Sequence, residues 1–280
     1  MMSTMELQGR RTDASPSVKR YLWSPRRWAI SLASLLVASC GHFPGDTSQD
    51  APAPRDGTAD APVAPDAPPI KGLVAWYPMD VPITAGTVVD ASGNGHDGTC
   101  DSDLEHCPEW IGRAYMFDGM DDWFHVKSAA ELEDGQGFTI TVWFNCINNH
   151  HACFVNKGYL LADDNSWQAC LNDNAELEFV STGLSHQIGG MLDTARWYHL
   201  ALSWDGSTKT IYLDGKSVAS AENVDIAFDK SDINIGSDID LNAGTPELAL
   251  PFHGLIADVR IYNHALFASQ IRDIKALWSP

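Results

Sequence analysis

Downstream of residue 72 the chain is written in short apolar or alternating runs separated by Gly, Asp and Asn. The runs are LVAWYPM (73–79), AYMFDG (114–119), WFHVKS (123–128), FTITVWFN (138–145), CFVNKG (153–158), WQACL (167–171) and LEFVS (177–181). They continue with WYHLALSWD (197–205), KTIYLDG (209–215), DINIGS (232–237) and HGLIADVRIYN (253–263). Many short strand-like runs, with turn residues between them and no long helical period, predict an all-β fold, an antiparallel two-sheet jelly-roll sandwich. FTITVWFN alternates, with Phe138, Ile140, Val142 and Phe144 on one side and Thr139, Thr141 and Trp143 on the other, the pattern of a half-buried strand. Asp214-Gly215 between two apolar runs predicts a hairpin. Near the end, Leu266, Ile271 and Ile274 alternate with Ser269, Gln270 and Asp273, which predicts a helical turn or two.

The first 70 residues follow another pattern. Lys19, Arg20, Arg26 and Arg27 precede the apolar run Trp28 to Ala38, too short to span a bilayer and laid out as a secretory signal. The run ends in VASC (37–40), which resembles a bacterial lipoprotein signal; that resemblance makes 1–39 a signal peptide and Cys40 the lipidated first residue. Residues 40–70 are a Pro/Ala/Asp-rich tether with little to bury, expected to be disordered. The remaining 71–280 form the folded domain. A formal net charge of −19 argues against a nucleic-acid partner, because phosphate binding needs a positive surface. Membrane contact is expected only through the anchor, which places the protein in the cell envelope, outside the cytoplasm.

Seven phrases occur in the order and spacing of laminin-G-like domains: LVAWYPMD, VVDASGNGHDG, GRAYMFDGMDDWFHV, GFTITVWFN, WYHLALSWDGSTKTIYLDGKSVA, INIGSD and FHGLIADVRIYNHAL. The stretch 72–275 thus resembles the concanavalin A-like lectin/glucanase group, with a pentraxin-type jelly roll. The resemblance implies a module that binds glycans or extracellular proteins, often with a bound calcium; the chain is expected to be a monomer.

The same fold hosts glycoside hydrolases, which need two carboxyls about 5 Å apart for retaining chemistry. Relatives of that kind carry Glu-x-Asp-x-Glu along one strand, and no such string exists here. ELEDG (131–135) and AELEF (175–179) come nearest, and glutamates on a solvated face explain both. No nucleophile elbow, zinc-protease helix or phosphate loop is present. The reading is therefore non-catalytic. A divergent hydrolase or lyase, and an adhesive envelope protein without a small ligand, are the alternatives.

Cysteines and aromatics supply the remaining signals. His150-His151 within CINNHHAC (146–153) invite a zinc reading, but in an exported protein Cys146 and Cys153 more simply close a hairpin as a disulfide. Cys100 and Cys107 bracket a short loop and are expected to pair, leaving Cys170 over; 146, 153 and 170 allow three pairings. Trp110, Trp123 and Trp167 lie near turns and are the better sugar platforms, Trp167 above all, with Asp238 and Asp240 in SDIDLNAG (237–244) as further ligand-binding candidates.

The loop DASGNGHDGTC (90–100) concentrates oxygens. Asp90, Ser92 and Asn94 alternate, Gly95 allows a sharp turn, the His96 carbonyl follows, and Asp101 stands twelfth, an order suited to a hard cation. The family resemblance implies that a structural calcium ties this loop to an aspartate near the C-terminus, here Asp258. The expected ligands are therefore Asp90, Asn94, His96 and Asp258. A Gly/Asn turn held by Asp hydrogen bonds without metal is the alternative.

Overall fold

A computed structural model of the chain describes residues 70–279 apart from 101–103, 134–135, 149, 159–165, 182–191, 223, 229 and 243–244, with backbone alone at 240–242 and 245–247. The signal, the tether and Cys40 lie outside the described residues. The strands in chain order begin with β1 (Leu73–Tyr77), β2 (Thr87–Val88), β3 (Gly98–Thr99), β4 (Glu109–Trp110), β5 (Tyr115–Asp118) and β6 (Phe124–Val126). Next come β7 (Phe138–Cys146), β8 (Ala152–Lys157), β9 (Trp167–Leu171), β10 (Leu177–Val180), β11 (Trp197–Trp204) and β12 (Lys209–Leu213). The last are β13 (Lys216–Ala221), β14 (Ile233–Ile235), β15 (Asp238–Asn242), β16 (Thr245–Ala249) and β17 (His253–Tyr262), followed by helix α1 (Ala268–Leu277).

The strands build two antiparallel sheets. Sheet I runs β13-β12-β11-β7-β17-β5-β4, and sheet II runs β10-β9-β8-β14-β6-β3-β2. On its free side β17 pairs β5 through His253–Ile256 and β1 through Val259–Tyr262. The change of partner falls at a bulge where Asp258 adopts a left-handed φ of 48°, a conformation aspartate tolerates better than most residues. Asp214 and Gly215, both at positive φ, form the two-residue turn of the β12–β13 hairpin, as the sequence predicts.

The core lies between the sheets, with Phe117, Phe144, Phe154, Phe179, Ile211 and Ile256 fully buried. β7 is not half-buried, however: Thr139, Thr141 and Trp143 on its other face are buried too. The C-terminal segment covers them. Thr139 Oγ1 donates to the His264 carbonyl and accepts the Leu266 N–H, and Ile271 and Ile274 of α1 pack with Leu266, Tyr262 and Ala201. The helix is ten residues long, more than the turn or two its few periodic positions predict. Its N-terminus is closed by Gln270 Oε1, which accepts the Phe267 N–H at 2.9 Å.

The expected Cys146–Cys153 disulfide is not formed. CINNHHAC does not close a hairpin; it carries the chain from sheet I to sheet II. Cys146 therefore points into the core as a free thiol, whereas Cys153, also buried, bonds Cys170 directly across β8–β9. Cys100 and Cys107 are joined as expected. Two disulfides suit an oxidising compartment. No helix among the described residues is long and apolar enough to cross a membrane, which says nothing of β-barrels.

Candidate functional site

On the face of sheet II turned away from the core, polar side chains stand at matched register across six strands. Thr87 pairs Thr99, Thr99 pairs His125, His125 pairs Asn234, Asn234 pairs Asn156, and Asn156 pairs Gln168. Period-two alternation produces this row, because Phe124, Val126, Ile233 and Ile235 on the opposite face fill the core. From Thr99 onward the exposure falls along the row. Thr99 is exposed, His125 half-buried, and Asn234, Asn156 and Gln168 are buried.

The buried half is a hydrogen-bonded chain. Asn234 Nδ2 donates to Asn156 Oδ1 at 3.1 Å, Asn156 Nδ2 to the Ser237 carbonyl at 2.7 Å, and Gln168 Nε2 to Asp238 Oδ2 at 2.8 Å. The accessible half carries Trp123, two residues before His125 and on the same face, with ring centroids 5.3 Å apart and planes tilted by 30°. Asp232 Oδ2 lies 4.0 Å from His125 Nε2, while its other oxygen accepts the Ser128 N–H. Hydroxyl, imidazole, carboxylate and a half-buried indole are thus presented together, backed by amides that hold their neighbours in place.

The sequence-predicted ligand residues divide. Asp238 belongs to this network, fully buried beside Gln168. Asp240 lies on β15, but its side chain is outside what is described. Trp167 is no platform: it begins β9 on the core-facing phase, is 2 % exposed and packs 5.3 Å from Phe138. Glu178 is likewise buried instead of solvated, and the Asn172 amide bridges it to Glu176 at 2.9 and 3.1 Å. Sequence reading missed Asn156, Asn234 and Gln168, since single amides inside short strands carry no local signal. It named Trp123 but not its stacking partner.

The 90–100 loop is held by protein donors. Asp90 Oδ1 accepts the N–H groups of Trp76 and Ser92 at 3.0 and 2.9 Å. Its Oδ2 accepts the Ser92 hydroxyl and the His96 N–H at 2.8 and 3.0 Å. Burial pushes the Asp90 carboxyl up, but these donors outweigh it and hold the group below the usual carboxylate value. The His96 carbonyl accepts the Tyr77 hydroxyl at 2.6 Å, and Asn94 Nδ2 donates to the Leu73 and Val74 carbonyls. Asp258 accepts the Trp76 indole N–H at 2.8 Å and pairs with Arg260 at 2.9 Å. Asp101 lies outside the described residues. So placed, the carboxylates of Asp90 and Asp258 and the His96 carbonyl accept protein N–H and O–H donors, Asp258 is paired with a cation, and Asn94 turns its amide nitrogen to the strand. Loop and strand are tied by Trp76, whose backbone N–H bonds Asp90 and whose ring N–H bonds Asp258.

Among the described residues, Asp118, Asp121 and Asp122 are the one grouping of carboxylates close enough to share an ion, with ligand atoms within 4.8 Å of one another. Burial, followed by the like charges of Asp118 and Asp121, pushes Asp122 up to about 6 although it accepts the Asp118 N–H. Asp118 in turn caps Met120 and Asp121, so the three form a turn held by its own hydrogen bonds.

Two facing antiparallel sheets, one roofed by the C-terminal segment and the other bearing a polar row, define a lectin-type jelly-roll sandwich. The chain belongs to the concanavalin A-like lectin/glucanases superfamily, whose laminin-G-like model matches residues 118–272, more than half of it. Three solved structures share the fold. Trypanosoma rangeli sialidase superposes with a TM-score of 0.57 at 17% identity, over 76% of this chain and 35% of that one. Domain 4 of AbnA, a GH43 extracellular arabinanase from Geobacillus stearothermophilus, in complex with arabinotriose, gives 0.52 at 21% identity, over 72% and 98%. The binding domain of Paraclostridial Mosquitocidal Protein 1 gives 0.54 at 14%, over 73% and 52%. The chain spans about a third of the sialidase. No curated protein matches it.

Proposed function

We propose that the protein is a monomeric, lipid-anchored binding module outside the cytoplasm that recognises a glycan on the outer face of sheet II. The registered polar row from Thr99 to Gln168 supports this reading most directly, with Trp123 beside its accessible end. Sugars need hydroxyl-matching donors and acceptors next to a ring that covers an apolar sugar face. The accessible end offers these groups, the Thr99 hydroxyl and the His125 imidazole beside the Trp123 indole, with Asp232 next to His125. The arabinotriose-bound arabinanase domain, matched over 98% of its length, is consistent with this reading. The VASC boundary supports the anchor, with Cys40 carrying lipid.

A glycan array tests the function. Binding should weaken by about tenfold or more in Trp123→Ala and in His125→Ala, with little change in melting temperature. Full binding by both variants would remove the site from this face, and release of reducing sugar would replace the binding reading by the hydrolase one. For the anchor, Cys40→Ser should abolish incorporation of radiolabelled palmitate.

A further inference from the structure

Beyond the polar row, the C-terminal end of the chain borders a second space, open to solvent, on the outer face of sheet I. Trp278, directly after α1, lies with its ring 5.0 Å from Trp197 and 5.1 Å from Trp143. Trp197 and Trp278, with Ile111, Arg113, Ala114 and Leu255, line a cavity of about 160 Å³. Every lining residue but Arg113 is apolar. Behind this wall, Trp143 Nε1 and both ring nitrogens of His199 are buried without hydrogen-bond partners among the described residues.

Size, lining and charge together select an occupant. An apolar protein cavity of ~150 Å³ takes up benzene, so one six-membered ring fits here. A sugar ring would carry its hydroxyls against walls that offer them almost no partners, a costly burial. An aromatic ring loses nothing in that way and gains contact with two indoles. At the rim, the exposed Arg113 lies 5.4 Å from the Trp278 ring centre and donates Nη1 to the Ser279 carbonyl at 3.2 Å. Among the described residues no carboxylate pairs with Arg113. Its planar fork of donors matches a carboxylate.

We infer that this cavity binds a small aromatic carboxylate, the ring against Trp197 and Trp278 and the carboxylate on Arg113. The site lies on the opposite sheet from the polar row and does not depend on glycan recognition there. Titration of the full chain with benzoate, followed through tryptophan indole N–H resonances, tests it. Benzoate should shift the Trp197 and Trp278 signals saturably. Arg113→Gln, at an exposed position, should keep the melting temperature and weaken benzoate binding by about tenfold or more. Benzyl alcohol, which has the ring without the charge, should bind both proteins equally and less tightly than benzoate binds the unsubstituted chain. Absence of a saturable shift, an Arg113→Gln affinity equal to the original, or glucuronate binding as tightly as benzoate would each overturn the assignment.

Discussion

His199 sits on β11 wholly enclosed, against Trp143 at 5.2 Å, and neither ring nitrogen finds a hydrogen bond among the described residues. Burial, reinforced by the positive charges of Lys275 and Arg260, pulls its pKa from 6.5 down to about 3. The native state therefore holds the ring neutral where an unfolded chain would protonate it. The corresponding stability is fully present above pH 6.5 and is lost as the pH falls from there toward 3. At pH 5 the loss from this one residue is about 2 kcal/mol. Denaturant titrations of His199→Leu should show it gaining about that much on the unsubstituted protein between pH 7 and pH 5. An equal difference at both pH values would exclude the linkage. Nothing about His199 in WYHLALSW distinguishes it from a solvated strand histidine, because its cover arrives from α1, some seventy residues later.

The elements themselves were legible, and their pairing was not. β9 spans Trp167–Leu171, the run read from the sequence, and β7 and β17 differ from theirs by a single residue. Strands of two residues such as β2, β3 and β4 have too few positions to show a period. Cys146 and Cys153 show what pairing adds. Both flank an apparent hairpin loop, but each strand has its own sheet, so the disulfide goes to Cys170. Replacing Cys153 and Cys170 together by alanine should lower stability by about 3 kcal/mol, from the loop the bond closes. Alkylation of the denatured, unreduced protein should label Cys146 alone among residues 71–280; labelling at Cys153 or Cys170 would contradict the pairing.

At the scale of the molecule, Trp76 joins the first turn of the domain to its last strand, a task the family resemblance assigned to calcium. Its backbone N–H reaches Asp90, its indole N–H reaches Asp258, and Arg260 lies 4.7 Å over its ring. Chelation by EDTA should accordingly leave the thermal midpoint of the domain unchanged, whereas Trp76→Phe should cost about 1–3 kcal/mol by leaving Asp258 short of a donor. A fall in the midpoint with EDTA, restored by calcium, would reverse this account.

Period-two alternation, turn residues and the Asp-Gly hairpin are local constraints on the backbone, and an antiparallel sandwich of short strands follows from them without any tertiary information. Which strands share a sheet, which face the C-terminal helix covers, and which isolated amides come into one row are settled by contacts between residues far apart in the chain. Those contacts alone made Trp167 core, left Cys146 a thiol, and set Asn156 beside Asn234 and Gln168. A loop rich in carboxylates and carbonyls reads as a cation site along the sequence; the folded chain adds Trp76, Tyr77 and Arg260 as donors to oxygens of the loop and of Asp258.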